Sequence, residues 1–127
     1  AYFGLGFCYF KKKELKEAAK NFSAAIMCKQ NYVDAYVNLG AVYERLGLYK
    51  QSVEILRKVL TIVPENSRAN YNLGVVYEKL YFLDEAINYY EKAIKYGYNK
   101  DNNNSVELIN KINKMKEVVN NVNSEVS

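Results

Sequence analysis

Apolar and polar residues alternate along this chain at the spacing of amphipathic helices. Segment 36–43 has residues suited to burial at positions i, i+3, i+4 and i+7, which share one face of an α-helix. A second stripe of this kind follows Gly47 and runs over residues 52–60. Gly47 suits a left-handed helix C-terminus, and Pro64 suits the end of the next helix. The pattern therefore predicts two consecutive amphipathic helices.

This helix pair occurs three times at a period of 34 residues. The aligned glycines are Gly6, Gly40 and Gly74; the aligned tyrosines are Tyr9, Tyr43 and Tyr77; and small residues align at Ala18, Ser52 and Ala86. Three copies in register without a gap predict tandem repeats at about residues 1–32, 33–66 and 67–100. We expect each glycine to let the two helices of a pair approach closely, with Gly40 facing Ser52.

The last part of the chain predicts a connector followed by a longer helix. Residues 101–104 are polar, and an apolar residue then recurs every three or four positions. This stripe consists of Leu108, Ile112, Met115, Val119 and Val122. Repeat arrays need a terminal helix with one polar face, so we expect residues 101–127 to hold a connector and a capping helix. A dimerisation seam is the alternative, because similar spacing suits a coiled coil.

Composition narrows the chemistry available to the chain. Its 127 residues, 50% hydrophobic and 25% charged, suit one compact domain or a short repeat array. Histidine is absent, which excludes Ser-His-Asp and Cys-His relays and histidine-built zinc sites within this chain. We therefore expect no enzyme activity, no metal and no cofactor. No apolar run has the ~18–20 residues that a membrane span needs. The helical pattern already holds at the first residue, and we expect a fragment of a longer protein.

The two cysteines are predicted to lie apart on opposite helices of the first pair. With a turn near Lys13, Cys8 is level with Lys20 or its neighbour on the second helix. Cys28 then lies about nine residues further along, or roughly 13 Å at a rise of ~1.5 Å per residue, which exceeds the ~7 Å reach of a disulfide. We expect both to be small buried residues with reduced thiols, which fits an intracellular, cytoplasmic protein. The net charge is +4, and the cluster at residues 11–13 is interpreted as a solvated face. No nucleic-acid partner is expected.

These motifs resemble the tetratricopeptide repeat, a 34-residue helix–turn–helix unit. The second row carries the family pattern as Tyr36, Leu39, Gly40, Tyr43, Ser52, Leu56, Val59 and Pro64. The third row departs from it at Asn70, which replaces the first aromatic residue, and at Tyr98, which stands where Pro64 stands. The resemblance implies an all-α, right-handed solenoid of three such units plus the C-terminal capping helix.

The resemblance also implies a binding surface on the first helix of each pair, which lines a concave groove in this family. Asn38 and Asn72 occupy the same slot one repeat apart, and an asparagine amide can both donate to and accept from a peptide backbone. The alternative is that both asparagines are exposed and idle. The other residues expected to face a bound peptide are Phe7, Val37, Ala41, Arg45, Arg68, Tyr71 and Lys79.

Some members of the family bind a chaperone's C-terminal carboxylate with a clamp of Lys, Asn, Asn, Lys and Arg. The corresponding residues here are Phe3, Phe7, Asn38, Arg68 and Asn72. Only Asn38 and Arg68 match, so a peptide ending in aspartate is disfavoured, because its buried carboxylate would lack cations. The row Phe3, Phe7 and Phe10 suggests instead an apolar anchor pocket, or packing against an upstream repeat.

We therefore expect a protein-interaction adaptor that binds a peptide or helix of a partner protein in the groove. One alternative is a homo-oligomer that assembles through the array ends or the last helix. Another is an RNA-binding helical repeat, against which the 34-residue period and the modest charge both count.

Overall fold

The computed structural model describes residues 1–29, 32–98 and 104–126, which form seven α-helices and contain no strand. The helices are α1 (Tyr2–Lys11), α2 (Leu15–Cys28), α3 (Val33–Arg45), α4 (Tyr49–Ile62), α5 (Ser67–Lys79), α6 (Leu83–Lys95) and α7 (Asn104–Val126). An all-α helical-repeat fold is therefore confirmed. Residues 101–103 of the predicted connector lie outside the described residues.

The 34-residue period is visible in the turns that join the helices of each pair. Residues Lys13, Gly47 and Tyr81 all have left-handed backbones, with φ of 63°, 77° and 63°. In each turn the next residue's N–H donates to the carbonyl of an aligned tyrosine, as in Leu48 to Tyr43 at 2.8 Å. This is the Schellman arrangement that satisfies carbonyls at a helix end. The prediction for Gly47 is confirmed, and two non-glycine residues adopt the same conformation.

A glycine faces a large side chain in every helix pair. A Cβ atom added at Gly40 would lie 2.6 Å from the Leu56 side chain, and one added at Gly74 would lie 2.5 Å from the Tyr90 ring. At Gly6 the corresponding distance, to the Phe22 ring, is 2.8 Å. The absence of a Cβ is therefore what admits the large residue located 16 positions later in the chain. These contacts join α1 to α2, α3 to α4 and α5 to α6.

Ser52 has the close approach to Gly40 that its sequence position predicts. Its hydroxyl donates a 2.7 Å hydrogen bond to the Gly40 carbonyl, and the whole side chain is buried. The hydroxyl thus gains a partner that offsets the cost of removing it from water.

The chain divides into two compact units. The first spans Ala1–Pro64 and contains α1 to α4. Its core joins α2 to α3 through Ala18, Phe22, Leu39 and Val42, which are all buried. Here the small residue at position 18 and the large one at position 22 belong to one apolar face of α2, which packs on the Leu39 face of α3.

The second unit spans Glu65–Ser127 and contains α5 to α7. In its core, α7 packs on α6 with Leu108, Ile112 and Met115 buried, so the first three members of the predicted stripe are covered. Val119 is partly buried, whereas Val122 is exposed. The apolar face of α7 therefore contacts the protein mainly over its first half.

The exposure of the two cysteines differs from the prediction. Both thiols are free, as expected, but Cys8 and Cys28 are exposed, so the prediction that they are buried is wrong. Cys8 aligns with Val42, which is buried in the core formed with α2, whereas Cys8 lies on an uncovered face of α1. Cys28 is the last residue of α2.

Within the ranges that the structure describes, none of the helices is both long enough and apolar enough to cross a bilayer.

Candidate peptide-binding surfaces

Apart from Phe7, the predicted binding residues of the first unit lie on α3, which is largely enclosed. Every residue of α3 from Ala35 to Gly40 is buried. Val37 and Asn38 are only 1% and 2% exposed, which corrects the expectation that they face an open groove. Sequence periodicity identifies the face that packs in one contact but does not show whether other sides of a helix are covered as well. A role for Asn38 in binding a peptide stays a prediction.

The phenylalanine row of α1 is divided between the core and the surface. The Phe3 ring stacks on Tyr32 with 5.0 Å between centroids and lies 5.7 Å from the Phe22 ring. Phe10 packs against the same core cluster. Phe3 and Phe10 thus contribute to the core of the first unit, although each is only partly buried. Only Phe7 keeps a substantial exposed fraction, 39%.

Cations cover two rings of this row. The guanidinium of Arg45 lies 4.4 Å from the centre of the Phe10 ring, and the Lys11 ammonium lies 4.9 Å from that of Phe7. Cations at such distances are attracted by the negative face of an aromatic ring. Of the predicted residues at this end of α3, Arg45 is exposed and Ala41 is partly buried.

The predicted residues of the second unit are more accessible. Arg68 and Lys79 are exposed at the two ends of α5, and Tyr71 and Asn72 between them are partly buried. Asn72 therefore differs from Asn38, its equivalent in the repeat, in being open to solvent. An amide in this position can form hydrogen bonds to a peptide without a prior rearrangement of the helix.

A cavity of about 290 Å³ adjoins α5 in the second unit. It is lined by Tyr71, Tyr98, Glu107, Leu108 and Lys111. The rings of Tyr71 and Tyr98 stack with centroids 4.2 Å apart and planes inclined by 8°. The cavity thus combines the ring of Tyr71 on α5 and that of Tyr98, which follows α6, with charged side chains from α7.

A hydrogen-bond network beside the cavity connects three helices. The buried Tyr90 hydroxyl donates a 2.7 Å hydrogen bond to Oε1 of Glu78, and Lys111 Nζ lies 2.8 Å from the same oxygen. The Lys111 ammonium also lies 5.5 Å from the centre of the Tyr90 ring. These contacts fix α7 to α5 and α6, and they hold the lysine at the cavity wall.

Sequence reasoning found Tyr71 but missed three other residues of the cavity wall. Tyr98 was noted only because it replaces a proline, and Glu107 and Lys111 lie on a helix interpreted as a cap. Glu107 and Lys111 are four residues apart beside Leu108, so the sequence could have placed both on one face of the last helix, but it holds no signal that brings them to Tyr71 and Tyr98.

The arrangement of side chains suits noncovalent binding. No group of three or more His, Cys, Asp or Glu side chains that could hold a metal ion occurs in the parts of the chain that the structure covers. What the second unit presents is aromatic surface, amide groups and charges, which are the means by which proteins recognise peptides.

Comparisons with known proteins agree with this architecture. A family model described as "Tetratricopeptide repeat" matches residues 31–96, just over half of the chain, and one described as "TPR repeat" matches residues 6–47. The Hsp70-Hsp90 organizing protein 3 of Arabidopsis thaliana is 26% identical over 88 residues, which are 69% of this chain. The matched region spans only 16% of the length of that relative.

Solved structures show the same fold. The first TPR domain of Spaghetti (RPAP3), bound to the HSP90 peptide SRMEEVD, superposes with a TM-score of 0.82 at 19% identity; the match covers 93% of this chain and 90% of that one. PcrH, from Pseudomonas aeruginosa, in complex with the chaperone binding region of PopD, gives a TM-score of 0.77 at 21% identity. That match covers 96% of this chain and 90% of the PcrH chain.

Proposed function

Because the chain belongs to the tetratricopeptide repeat family, we propose that it is a protein-interaction adaptor that binds a peptide segment or helix of a partner protein. Two proteins with this fold, Spaghetti (RPAP3) and PcrH, have been solved with an HSP90 peptide and with a region of PopD, which supports the proposal. The observation in this chain that carries it is the cavity on the second unit, because Tyr71, a predicted peptide-binding residue, lines its wall.

The second unit offers both parts of a peptide-recognition surface. Asn72 is accessible on α5 and can bond the peptide backbone irrespective of sequence. The adjoining cavity can accept one side chain and so give the interaction specificity. We therefore place the primary peptide contact on α5 and the cavity wall. The other residues predicted on this helix, Arg68 and Lys79, are exposed and would contact the peptide at its periphery.

The test is to select random twelve-residue peptides that bind the chain and to titrate the best one by fluorescence anisotropy. We expect Asn72→Ala, alone and combined with Tyr71→Ala, to raise Kd by about tenfold or more, which corresponds to ~1.4 kcal/mol. The matched control is Asn88→Ala combined with Tyr81→Ala, since both residues are exposed in the same unit and neither lines the cavity. Equal Kd values for all variants, or the same loss in the control, would contradict the proposal. Circular dichroism checks that the helices are intact.

A second candidate function is self-association through α1. Tyr2 and Leu5 are 47% and 49% exposed, whereas their equivalents in α3, Tyr36 and Leu39, are 7% and 3% exposed. Leu39 is covered by α2 within the first unit. The face of α1 that carries Tyr2 and Leu5 is therefore apolar and exposed, whereas the equivalent face of α3 is buried. A second copy of the chain could cover the α1 face.

Light scattering over a range of concentrations tests self-association. The expected result is a dimer that dissociates when Leu5→Lys places a charge on this face. A mass equal to the monomer's at every concentration would contradict it.

A further inference from the structure

Two carboxylates and one ammonium group lie around the cavity of the second unit. Lys111 is held by Glu78, so its positive charge is balanced next to the cavity. The ion pairs among the described residues are Lys111 with Glu78 and Lys116 with Glu91, and neither includes Glu107. Glu107 lines the cavity together with Lys111. With two carboxylates, Glu78 and Glu107, and one ammonium group, Lys111, the surroundings of the cavity carry one excess negative charge that a bound group of opposite sign would offset.

The aromatic part of the wall favours the same kind of group. Tyr71 and Tyr98 form a stacked pair at the cavity, and the faces of tyrosine rings attract cations. The protein already uses this contact elsewhere, with Arg45 placed over Phe10 at 4.4 Å. A guanidinium group is planar and weakly hydrated, so it can stack on a tyrosine and also donate two hydrogen bonds to a carboxylate.

The cavity is large enough to admit a side chain. Its volume of about 290 Å³ is just below the ~300–1,000 Å³ typical of small-molecule sites. A carboxylate ligand would be repelled by Glu107 and would have to compete with Glu78 for Lys111. An apolar side chain would offer Glu107, which is exposed at the cavity, no group of opposite charge.

We propose that this cavity binds an arginine side chain of the partner peptide, with the guanidinium on the Tyr71–Tyr98 pair and in a salt bridge to Glu107. The inference rests on the proposed function, since it specifies which residue of a bound peptide enters the cavity. It makes α7 part of the recognition surface as well as a cover for α6.

The test is an NMR titration of the ¹⁵N-labelled chain with acetyl-Gly-Arg-Gly-amide. The same peptide with citrulline in place of arginine is the comparison, because citrulline has nearly the same shape and no charge. The arginine peptide is expected to shift the amide signals of Tyr71, Leu108 and Lys111 with saturation, and the citrulline peptide to bind about tenfold or more weakly. Equal binding of the two peptides, or no saturable shift with arginine, would overturn the inference.

Variants assign the effect to the cavity wall. Glu107→Gln keeps the shape of the side chain and removes its charge. It is expected to raise the Kd of the arginine peptide about tenfold and to leave the Kd of the citrulline peptide unchanged. Tyr98→Leu is expected to raise the Kd of the arginine peptide as well. The matched controls are Glu117→Gln, exposed on the same helix, and Tyr96→Leu, which lies outside this cavity; both should bind as the parent chain does. An unchanged Kd in Glu107→Gln would refute the salt bridge.

The random-peptide selection separates this inference from the proposed function. If selected peptides depend on Asn72 but contain no enriched arginine and are insensitive to Glu107→Gln, the arginine assignment fails and the adaptor function stands. If they are enriched in arginine and weakened by Glu107→Gln, both are supported. A third result is that the short arginine peptide binds the cavity, while none of the selected twelve-residue peptides loses affinity in Asn72→Ala. In that case the proposed peptide contact on α5 fails and the cavity assignment holds.

Discussion

The two units of the molecule share one packing rule and display different surfaces. In both, a glycine lies against a large side chain located 16 residues later, as Gly40 does against Leu56 and Gly74 against Tyr90. Yet α3 of the first unit is buried from residue 35 to residue 40, whereas α5 of the second unit adjoins an open cavity. The repeat therefore fixes the contact within a helix pair but not which of the remaining residues can reach a partner.

The largest expected effects come from filling the glycine positions. Gly74→Ala should lower the free energy of unfolding by about 2–3 kcal/mol, because the added Cβ would overlap a Tyr90 ring that its hydrogen bond to Glu78 holds in place. Gly40→Ala should lower the free energy of unfolding by less, because the added Cβ would meet Leu56, an aliphatic side chain that can change its rotamer. Urea unfolding measures both values.

Gly4→Ala is the control for this comparison. No atom lies within 4 Å of a Cβ at Gly4, which is also in a helix, so the substitution should stabilise the chain by roughly 0.5–1 kcal/mol. If alanine were tolerated equally at Gly4, Gly40 and Gly74, the shared packing rule would be wrong.

The contact between each glycine and its partner helix could be predicted from the sequence, whereas the exposure of the binding residues could not. Aligned glycines and tyrosines identify the repeat because close helix contacts leave few residue types possible at those positions. Asn38 and Asn72 also align, but their exposure depends on what surrounds each helix, which a periodic pattern does not report. Tyr98 and Glu107 come together with Tyr71 only through the placement of α7 against α6, so spacing within one repeat could not reveal the cavity.

The aligned asparagines provide the next test of the difference between the units. Asn38→Ala should destabilise the chain by about 1–3 kcal/mol, because a buried amide makes contacts that alanine cannot replace. Asn72→Ala should change stability by no more than about 0.5 kcal/mol, since this residue is partly open to solvent. Thermal and urea unfolding give both values. Equal effects of the two substitutions would show that the environments of the two asparagines are not distinct.

Modest effects are expected in the turns, where the two units are alike. Lys13→Gly should stabilise the chain by up to about 1 kcal/mol, because glycine adopts a left-handed backbone without the steric cost that a lysine bears. The reverse change at the equivalent position, Gly47→Lys, should destabilise it by a similar amount. Unfolding midpoints that move in the same direction for both variants would contradict a common turn geometry.

The most direct test of the central claim, that a partner peptide binds on the second unit, is to locate such a peptide by photo-crosslinking. A selected peptide with a benzophenone group at successive positions would be irradiated in complex with the chain, and the linked residues identified by mass spectrometry. Crosslinks are expected on α5 near Tyr71 and Asn72 and on α7 near Glu107 and Lys111. Crosslinks confined to α1 or to α4, with none on the second unit, would contradict it.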